Sequence, residues 1–235
     1  MLFINIYINI LYTYSLMITI IKNLLFIFLS LDVCDAWDPR LYPYDPRIHN
    51  FGNHGTLGSV HSLIAPLFTL YTDTTIYGRN LRKEIVDAEG ADKTILDVGC
   101  GTGFSTSDTR GSKGLDVSIE MLSTAKAIFP NKDFEQAHIE EWVPDKQYDV
   151  VTMMFLFHEV PQEHRINIVD KLKTIAREKI LVVDISPNYN PSELMLTGEP
   201  YIMDYLENIR GDLSGFDEEI IIENHVHTWS LDLDA

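Results

Sequence analysis

Apolar and polar residues alternate in blocks between residues 93 and 186, in an order that predicts strands and helices in turn. Short apolar runs of the kind found in buried strands lie at residues 93–99, 111–118, 133–138, 148–158 and 179–186. Helical stretches follow the second and fourth of these runs, at residues 119–129 and 162–176. Strands that alternate with helices indicate a parallel sheet with right-handed crossovers.

The chain on either side of this region shows two other patterns. Residues 57–88 have apolar positions at mixed three- and four-residue spacing and predict one or two helices, kinked or divided at Pro66. Residues 218–224 and 225–233 predict two strands joined by a tight turn. The whole pattern predicts an α/β fold, with a doubly wound, mostly parallel seven-stranded sheet that ends in an antiparallel hairpin.

The first part of the chain needs a separate explanation. Residues 1–31 are almost wholly apolar, with Lys22 as their only charge, and are long enough to span a membrane. A cleaved signal peptide ending near Ala36 and a gene-model artefact are the alternatives, although the positive start of a signal peptide is missing. Residues 32–55 are rich in Pro and aromatics and predict a linker to a folded domain at 56–235. A real segment 1–31 would make the protein membrane-associated or organellar, and otherwise we expect a cytoplasmic protein.

Composition narrows the class of partner. The chain has 235 residues, enough for one well-buried domain, and a formal net charge of −17. Such a surface repels phosphate backbones, so we expect a small-molecule partner and no nucleic acid. The only two cysteines, Cys34 and Cys100, provide neither a disulfide framework nor a zinc-binding spacing, and we expect no metal site.

A glycine-rich turn follows the first predicted strand. Gly99, Gly101 and Gly103 stand at alternate positions directly after Asp97 and Val98. Glycine lets the backbone leave a strand sharply and approach a ligand without a Cβ in the way, and a helix that starts next would direct free N–H groups at that ligand. The spacing differs from the G-x-G-x-x-G of dinucleotide-binding turns. We therefore predict a ligand at this turn, with Asp97 as a partner for a cationic amine.

The stretch "LDVGCGTG", residues 96–103, resembles the first motif of class I S-adenosylmethionine (SAM)-dependent methyltransferases, an apolar strand ending in D/E-x-G-x-G-x-G. The resemblance covers about residues 90–190 and extends more loosely to the C-terminal hairpin. It is closest to the small-molecule branch that includes enzymes of ubiquinone and menaquinone synthesis. It implies a Rossmann-like methyltransferase fold, SAM as the cofactor and methyl transfer to a small, quinone- or lipid-like acceptor.

The resemblance also implies a set of cofactor-binding residues. Asp116 ends the second strand nineteen positions after Asp97 and matches the acid that holds the ribose hydroxyls. Met121 falls where an apolar side chain lines the adenine. His138 stands where the family often has an Asp near the adenine amino group, so backbone groups around Ile139 are the alternative for that contact.

One segment departs from the family's pattern. Residues 104–110, between the glycine turn and the second strand, are about one helical turn short for this family. We therefore expect a stunted first helix and a more open site at the methionine end of the cofactor.

The chemistry of methyl transfer points to residues just past the fourth strand. Ligands lie beyond the carboxyl ends of strands in an open α/β sheet, where His158 and Glu159 occur. A hydroxyl or amine acceptor needs a base, and histidine titrates near neutral pH, so we expect His158 to act either as a general base or as a pocket-shaping residue. We expect Asp184, at the end of the fifth strand, to face the same cleft. Residues 155–157 fit the sheet core better than a cage around the sulfonium.

Two segments are candidates for a lid over the site. Tyr71 and Tyr77 resemble N-terminal aromatics that close over SAM in this family, and both also fit as helix-packing residues. The insertion at residues 186–209 places Glu199 and Tyr201 among apolar residues and is expected to set the acceptor.

The same sheet and cofactor motifs also occur in proteins with other functions. Aminopropyl transfer from decarboxylated SAM uses the same sheet, and a catalytically silent SAM-binding module would keep the same cofactor motifs. Enzymes that methylate amide or adenine nitrogens carry N/D-P-P-Y after the fourth strand, and cytosine-carbon enzymes carry a Cys there. Residues 157–161 read "FHEVP", which argues against both the amide- or adenine-nitrogen enzymes and the cytosine-carbon enzymes.

Overall fold

The computed structural model describes Tyr44, Gly52 and residues 54–233. The segment 1–31 and nearly all of the linker predicted at 32–55 lie outside these residues, so an anchor, a signal peptide or an artefact there stays a prediction. Within residues 54–233, we find no helix that combines the length and the hydropathy needed to cross a bilayer.

Seven strands and six α-helices make up the regular structure of the described chain. The strands are β1 (Ile95–Val98), β2 (Lys113–Asp116), β3 (Phe134–Gln136), β4 (Tyr148–Met154), β5 (Ala176–Ile185), β6 (Asp217–Ile222) and β7 (Val226–Asp232). The helices are α1 (Gly55–Tyr71), α2 (Leu81–Ala88), α3 (Ile119–Ile128), α4 (Gln162–Ile175), α5 (Glu193–Gly198) and α6 (Ile202–Asp212). A π-helical turn (Thr72–Ile76) follows α1, and a 3-10 turn (Phe157–Glu159) follows β4.

All seven strands belong to one sheet, in the order β3-β2-β1-β4-β5-β7-β6. The first five strands pair in parallel, whereas β7 is antiparallel to both β5 and β6. This arrangement confirms the predicted fold class, including the hairpin at the C-terminus. Its consequence for function is that β1 lies between β2 and β4, where the order of connections reverses and ligands bind in open sheets.

The sheet is covered on both faces, which explains the continuous apolar runs in β4 and β5. On one face, Leu172 of α4 and Ile209 of α6 belong to the same buried cluster as Val151 and Val182. On the other face, Leu81 of α2 belongs to a second buried cluster, together with strand residues such as Val150 and Val183. The two clusters hold the carboxyl ends of the central strands in fixed register.

The structure differs from the predicted helices at two places. Pro66 lies inside α1 without dividing it, and the break comes instead at Gly78, whose φ of +68° favours glycine. The stunted helix expected after the glycine turn is absent, because the chain between β1 and β2 forms only turns and bends. The hydroxyls of Ser105 and Thr106 bond the Asp97 carboxylate and hold this short connection in a non-helical path.

Candidate active site

The three glycines of the turn after β1 serve different purposes. Their φ angles are all positive, at +72° for Gly99, +52° for Gly101 and +85° for Gly103. A Cβ on Gly99 would lie 2.7 Å from the Leu156 side chain, and one on Gly103 would lie 2.7 Å from the Phe134 ring. A Cβ on Gly101 would meet nothing within 4 Å. Two glycines therefore allow close packing, and Gly101 leaves bare backbone at an open crevice.

Asp97 fixes the glycine turn from within the protein. Its carboxylate is fully buried and accepts hydrogen bonds from the hydroxyls of Ser105, at 2.8 Å, and Thr106, at 2.7 Å. Burial raises the pKa of this carboxyl, and the two hydroxyls oppose that rise. The arrangement anchors the turn to β1, while a bond from Asp97 to a cofactor amine stays a prediction.

Asp116 lies at the tip of β2, next to the tip of β1 that carries Asp97. One carboxylate oxygen accepts the N–H of Gly101 and the other accepts the N–H of Ser118, both at 2.8 Å. Burial raises the pKa of Asp116 to about 6, and the negative charges of Glu159 and Asp97 add to this rise. Each carboxylate oxygen has a second lone pair, so the group can also accept hydroxyls from a ligand.

The three residues expected around adenine have different surroundings. Met121 is buried in the first turn of α3, where its N–H donates to the Ser118 hydroxyl that caps the helix. Ile139 is buried in the core cluster that also contains Val151 and Val182. The His138 ring lies 5.8 Å from the Tyr44 ring and directs Nε2 to within 3.7 Å of a Glu140 carboxylate oxygen. Burial lowers the pKa of His138, so the ring favours its neutral form.

His158, in the 3-10 turn after β4, and Asp184, near the end of β5, form a buried pair. The Nδ1 atom of His158 lies 2.6 Å from an Asp184 oxygen, and Nε2 lies 3.9 Å from an oxygen of Glu159. Burial opposes charge on His158, but Asp184, with further help from Glu159 and Glu199, raises its pKa to about 9. His158 is therefore an imidazolium at neutral pH, and Asp184 is beside it as expected.

Glu199 reaches the same place from the connection between α5 and α6. It is buried, and one ligand atom each from His158, Glu159 and Glu199 lies within 4.8 Å of the others. Because the His158 ring carries a proton on both nitrogens at neutral pH, it has no lone pair for a metal ion, and the negative charges of Glu159 and Glu199 instead favour this charged ring. Tyr201 stands two residues further on, as the half-buried N-cap residue of α6.

Part of the site was not predicted from the sequence. Phe155 directly follows β4 with a φ of +58°, a conformation that non-glycine residues rarely adopt. The Tyr77 ring stacks on Phe155 with their centroids 6.3 Å apart, and the Arg82 guanidinium lies 4.4 Å from the same Phe155 centroid. Arg82 also forms an ion pair with the buried Asp73. The sequence places Phe155 in an apolar run typical of core strand, so neither its φ nor these contacts could be predicted.

Of the two predicted lid tyrosines, the structure brings Tyr77 to the site. Burial raises the pKa of the Tyr77 phenol to about 12, and the charges near enough to affect it include Arg82 and Asp184. Through its stacking on Phe155, Tyr77 contacts the residue that directly follows β4. Tyr71 is the half-buried last residue of α1.

Comparison with known proteins bears on this arrangement. Residues 95–179 match the family model of a methyltransferase domain. The matched stretch begins with β1 and contains the glycine turn, Asp116 and His158. The chain has a methyltransferase fold. The resemblance drawn from residues 96–103 is thereby confirmed.

Curated relatives share part of this methyltransferase region. The chain is 32% identical over 110 residues to trans-aconitate 2-methyltransferase of Rhizobium rhizogenes. The aligned residues make up 43% of this chain and 42% of that protein. It is 32% identical over 109 residues to ubiquinone biosynthesis O-methyltransferase of Paraburkholderia phytofirmans, or 41% of this chain and 46% of that protein. The matched region thus spans less than half the length of these curated relatives.

Solved structures agree with the fold. A complex of DhpI with SAH superposes with a TM-score of 0.53 at 18% identity, over 74% of this chain and 94% of that one. A TehB-like SAM-dependent methyltransferase from Corynebacterium glutamicum superposes with a TM-score of 0.52 at 14% identity, over 73% of this chain and 97% of that one. At such low identity these structures bear on the fold alone.

Proposed function

We propose that this protein is a SAM-dependent methyltransferase that acts on a small-molecule acceptor. The observation that carries the proposal is the crevice at Gly101, where bare backbone faces open space and its N–H is bonded to Asp116 on the neighbouring strand tip. Open backbone beside a carboxylate at the reversal point of an open sheet suits an adenosyl ligand. The methyltransferase family match and the methyltransferase relatives support the same conclusion.

The residues present fit the cofactor in a specific way. Asp116 would accept the ribose hydroxyls, and the backbone of Gly99, Gly101 and Gly103 would lie against the rest of the adenosyl group. Met121, His138 and Ile139 are assigned to the adenine end, and Tyr71 and Tyr77 to the cover. Asp97 contributes by holding the turn. When bound, SAM supplies a methyl group that is already activated for transfer, so the protein's task is alignment and exclusion of water.

Glu159 is the better candidate for removing a proton from the acceptor. His158 already carries a proton at neutral pH, because the pKa of its ring is raised to about 9, largely by Asp184. Glu159 lies 3.9 Å from Nε2 of His158 and close enough to Asp116 to affect the pKa of that carboxyl. Glu159 is therefore near both the imidazolium and Asp116, the acid that we assign to the ribose. We assign proton removal to Glu159 and electrostatic support to His158.

This assignment favours one chemical class of acceptor. A hydroxyl or an amine must lose a proton during methylation, whereas a carboxylate acceptor needs no base. A buried carboxylate at the acceptor side thus suits a hydroxyl or amine. The buried Glu199 and the half-buried Tyr201, from the insertion after β5, would contact the body of that acceptor. A quinone- or lipid-like hydroxyl compound, as expected from the sequence, fits this class.

Labelled-methyl transfer tests the proposed function. The full chain is incubated with methyl-labelled SAM and fractionated small-molecule extract, and products are followed by radioactivity and mass. We expect label in a small molecule, reduced in Asp116→Ala when SAM is below saturation, and reduced in Glu159→Gln by the roughly 10²- to 10⁴-fold that a general base contributes. SAH binding without transfer to any fraction would instead indicate a silent SAM-binding module.

A further inference from the structure

We propose that Asp184 is a positioning residue that fixes the orientation of the His158 ring and thereby directs its Nε2 toward Glu159. This inference rests on the proposed function, because it assigns Asp184 a part in the same reaction. Asp184 acts through His158, and none of its described hydrogen bonds leads into the open crevice.

The first support is the number of bonds that hold the Asp184 carboxylate. Asp184 is fully buried near the end of β5, and one of its oxygens accepts the backbone N–H groups of Phe157, at 2.7 Å, and His158, at 3.3 Å. The other oxygen accepts the N–H of Ile185 at 2.7 Å and lies 2.6 Å from Nδ1 of His158. The carboxylate thus joins the 3-10 turn after β4 to the end of β5, and backbone groups of both the turn and β5 set its position.

The second support is the orientation that this gives the ring. With Nδ1 donating to Asp184, the remaining nitrogen Nε2 is directed to Glu159, 3.9 Å away. The Tyr205 ring packs edge-on against His158, with the centroids 6.2 Å apart, and its hydroxyl donates to the Ile185 carbonyl at 2.7 Å. A ring flip would break the Nδ1 bond and turn a carbon toward Asp184. Asp184 and Tyr205 therefore leave the His158 ring one orientation.

The third support is electrostatic. Burial alone would lower the pKa of His158, and Asp184 is the largest influence that raises it. The pair consequently places a positive charge beside the Glu159 carboxylate. A purely structural Asp184, needed only for the three backbone N–H groups, would require neither a protonated His158 nor one particular tautomer. The titration and tautomer of His158 thus distinguish a positioning role from a structural one.

An NMR titration of the unaltered full chain tests the inference without any acceptor. The His158 ring signals are identified by their loss in His158→Gln and followed by proton and nitrogen-15 shifts. We expect a midpoint near 9 and, above it, a neutral ring with the proton on Nδ1. A midpoint near the ordinary histidine value of about 6.5, or a proton on Nε2 above the midpoint, would overturn the proposal.

Asp184→Asn provides the second test, with Asp170→Asn as a control that removes the same charge from the surface. In Asp184→Asn we expect the titration midpoint of His158 to fall below about 6.5. Burial lowers the pKa of the ring, and the negative charge that opposes this effect most strongly is then removed. We also expect kcat for the acceptor found by labelled transfer to fall at least tenfold, but by no more than the roughly 10²- to 10⁴-fold that a general base contributes. The KM for SAM should change less than about twofold, since the substitution leaves Asp116 and the glycine turn unaltered. Unchanged kcat in a folded Asp184→Asn variant would contradict the inference.

The readouts separate this inference from the proposed function. Failure of the unaltered chain to bind SAH would refute the cofactor assignment and leave the His158 titration to be judged by itself. SAH binding and methyl transfer, combined with an ordinary His158 midpoint, would refute only the role of Asp184. If Asp184→Asn fails to fold, the titration of the unaltered chain decides.

Discussion

At the scale of single residues, Gly99 and Gly101 differ in what surrounds them rather than in their backbone conformation. Both have positive φ, yet Gly99 faces the Leu156 side chain and Gly101 faces open space. The left-handed conformation costs an L-residue about 1–2 kcal/mol at either position. The additional effect of a methyl group should therefore be steric at Gly99 and functional at Gly101.

We expect Gly99→Ala to lower the unfolding temperature more than Gly101→Ala, because its Cβ would lie 2.7 Å from Leu156. We expect Gly101→Ala to fold but to lose SAH affinity, because its methyl group enters the crevice. Thermal unfolding and calorimetric SAH titration of both variants check the pair. Wild-type SAH affinity in Gly101→Ala would show that the crevice is not the cofactor site.

The charge of Asp116 should make cofactor binding depend on pH. Its pKa is raised to about 6, so the carboxyl is protonated in the folded chain at pH 5 and ionised at pH 7.5. An ionised carboxylate is the stronger acceptor for ribose hydroxyls. We therefore expect SAH affinity to rise as pH increases through about 6, and Asp116→Asn to bind more weakly with that dependence removed. Calorimetry at pH 5, 6 and 7.5 measures both, and the same pH dependence in Asp116→Asn would refute the assignment.

The sequence predicts the parts of the site that depend on local spacing. Asp97, the glycines and Asp116 follow from the ends of two neighbouring strands, and the structure brings them together. The contacts of Phe155 with Tyr77 and Arg82 join residues from separate elements, and the positive φ of Phe155 depends on that packing. No local pattern carries this information.

At the scale of elements, the 3-10 turn after β4 is held to β5 chiefly through Asp184 and His158. This ion pair gives the turn a pH-dependent stability. Because the pKa of His158 is raised above its unfolded value of about 6.5, the contribution is fully present below pH 6.5 and is lost as pH rises through about 9.

We expect the free energy of unfolding to fall between pH 7 and pH 10, and to fall less in His158→Gln. Denaturant titrations at several pH values measure the free energy of unfolding of the unaltered chain and of His158→Gln. Ionisable groups that both proteins share contribute equally, so their effect cancels in the difference between the two. An identical pH dependence in the two proteins would show that the pair contributes no such stability.

The strands could be predicted from the sequence, whereas the connection between β1 and β2 could not. The strands and the C-terminal hairpin follow from apolar periodicity, since both faces of the parallel strands are buried. The absence of a helix between β1 and β2 depends on hydroxyl bonds from Ser105 and Thr106 to a carboxylate on another element. A short segment predicts a short helix, whereas the tertiary hydrogen bonds select turns.

At the scale of the whole molecule, fold and charge act together. The net charge of −17 disfavours phosphate-rich partners, while the crevice lies where an open sheet binds small ligands. The strand order β2-β1-β4-β5 brings the acids of β1 and β2, which we assign to the cofactor, next to the His158 group at the ends of β4 and β5. The account therefore depends on one ligand, an adenosyl cofactor, being bound between these two groups.

Calorimetric titration of the full chain with SAH at pH 7.5, repeated with Asp116→Ala, tests this claim most directly. We predict saturable binding at one site in the unaltered chain, weakened by about 1–3 kcal/mol in Asp116→Ala through loss of charge-assisted hydrogen bonds. Absence of binding in the unaltered chain, or equal affinity in the two proteins, would contradict the account.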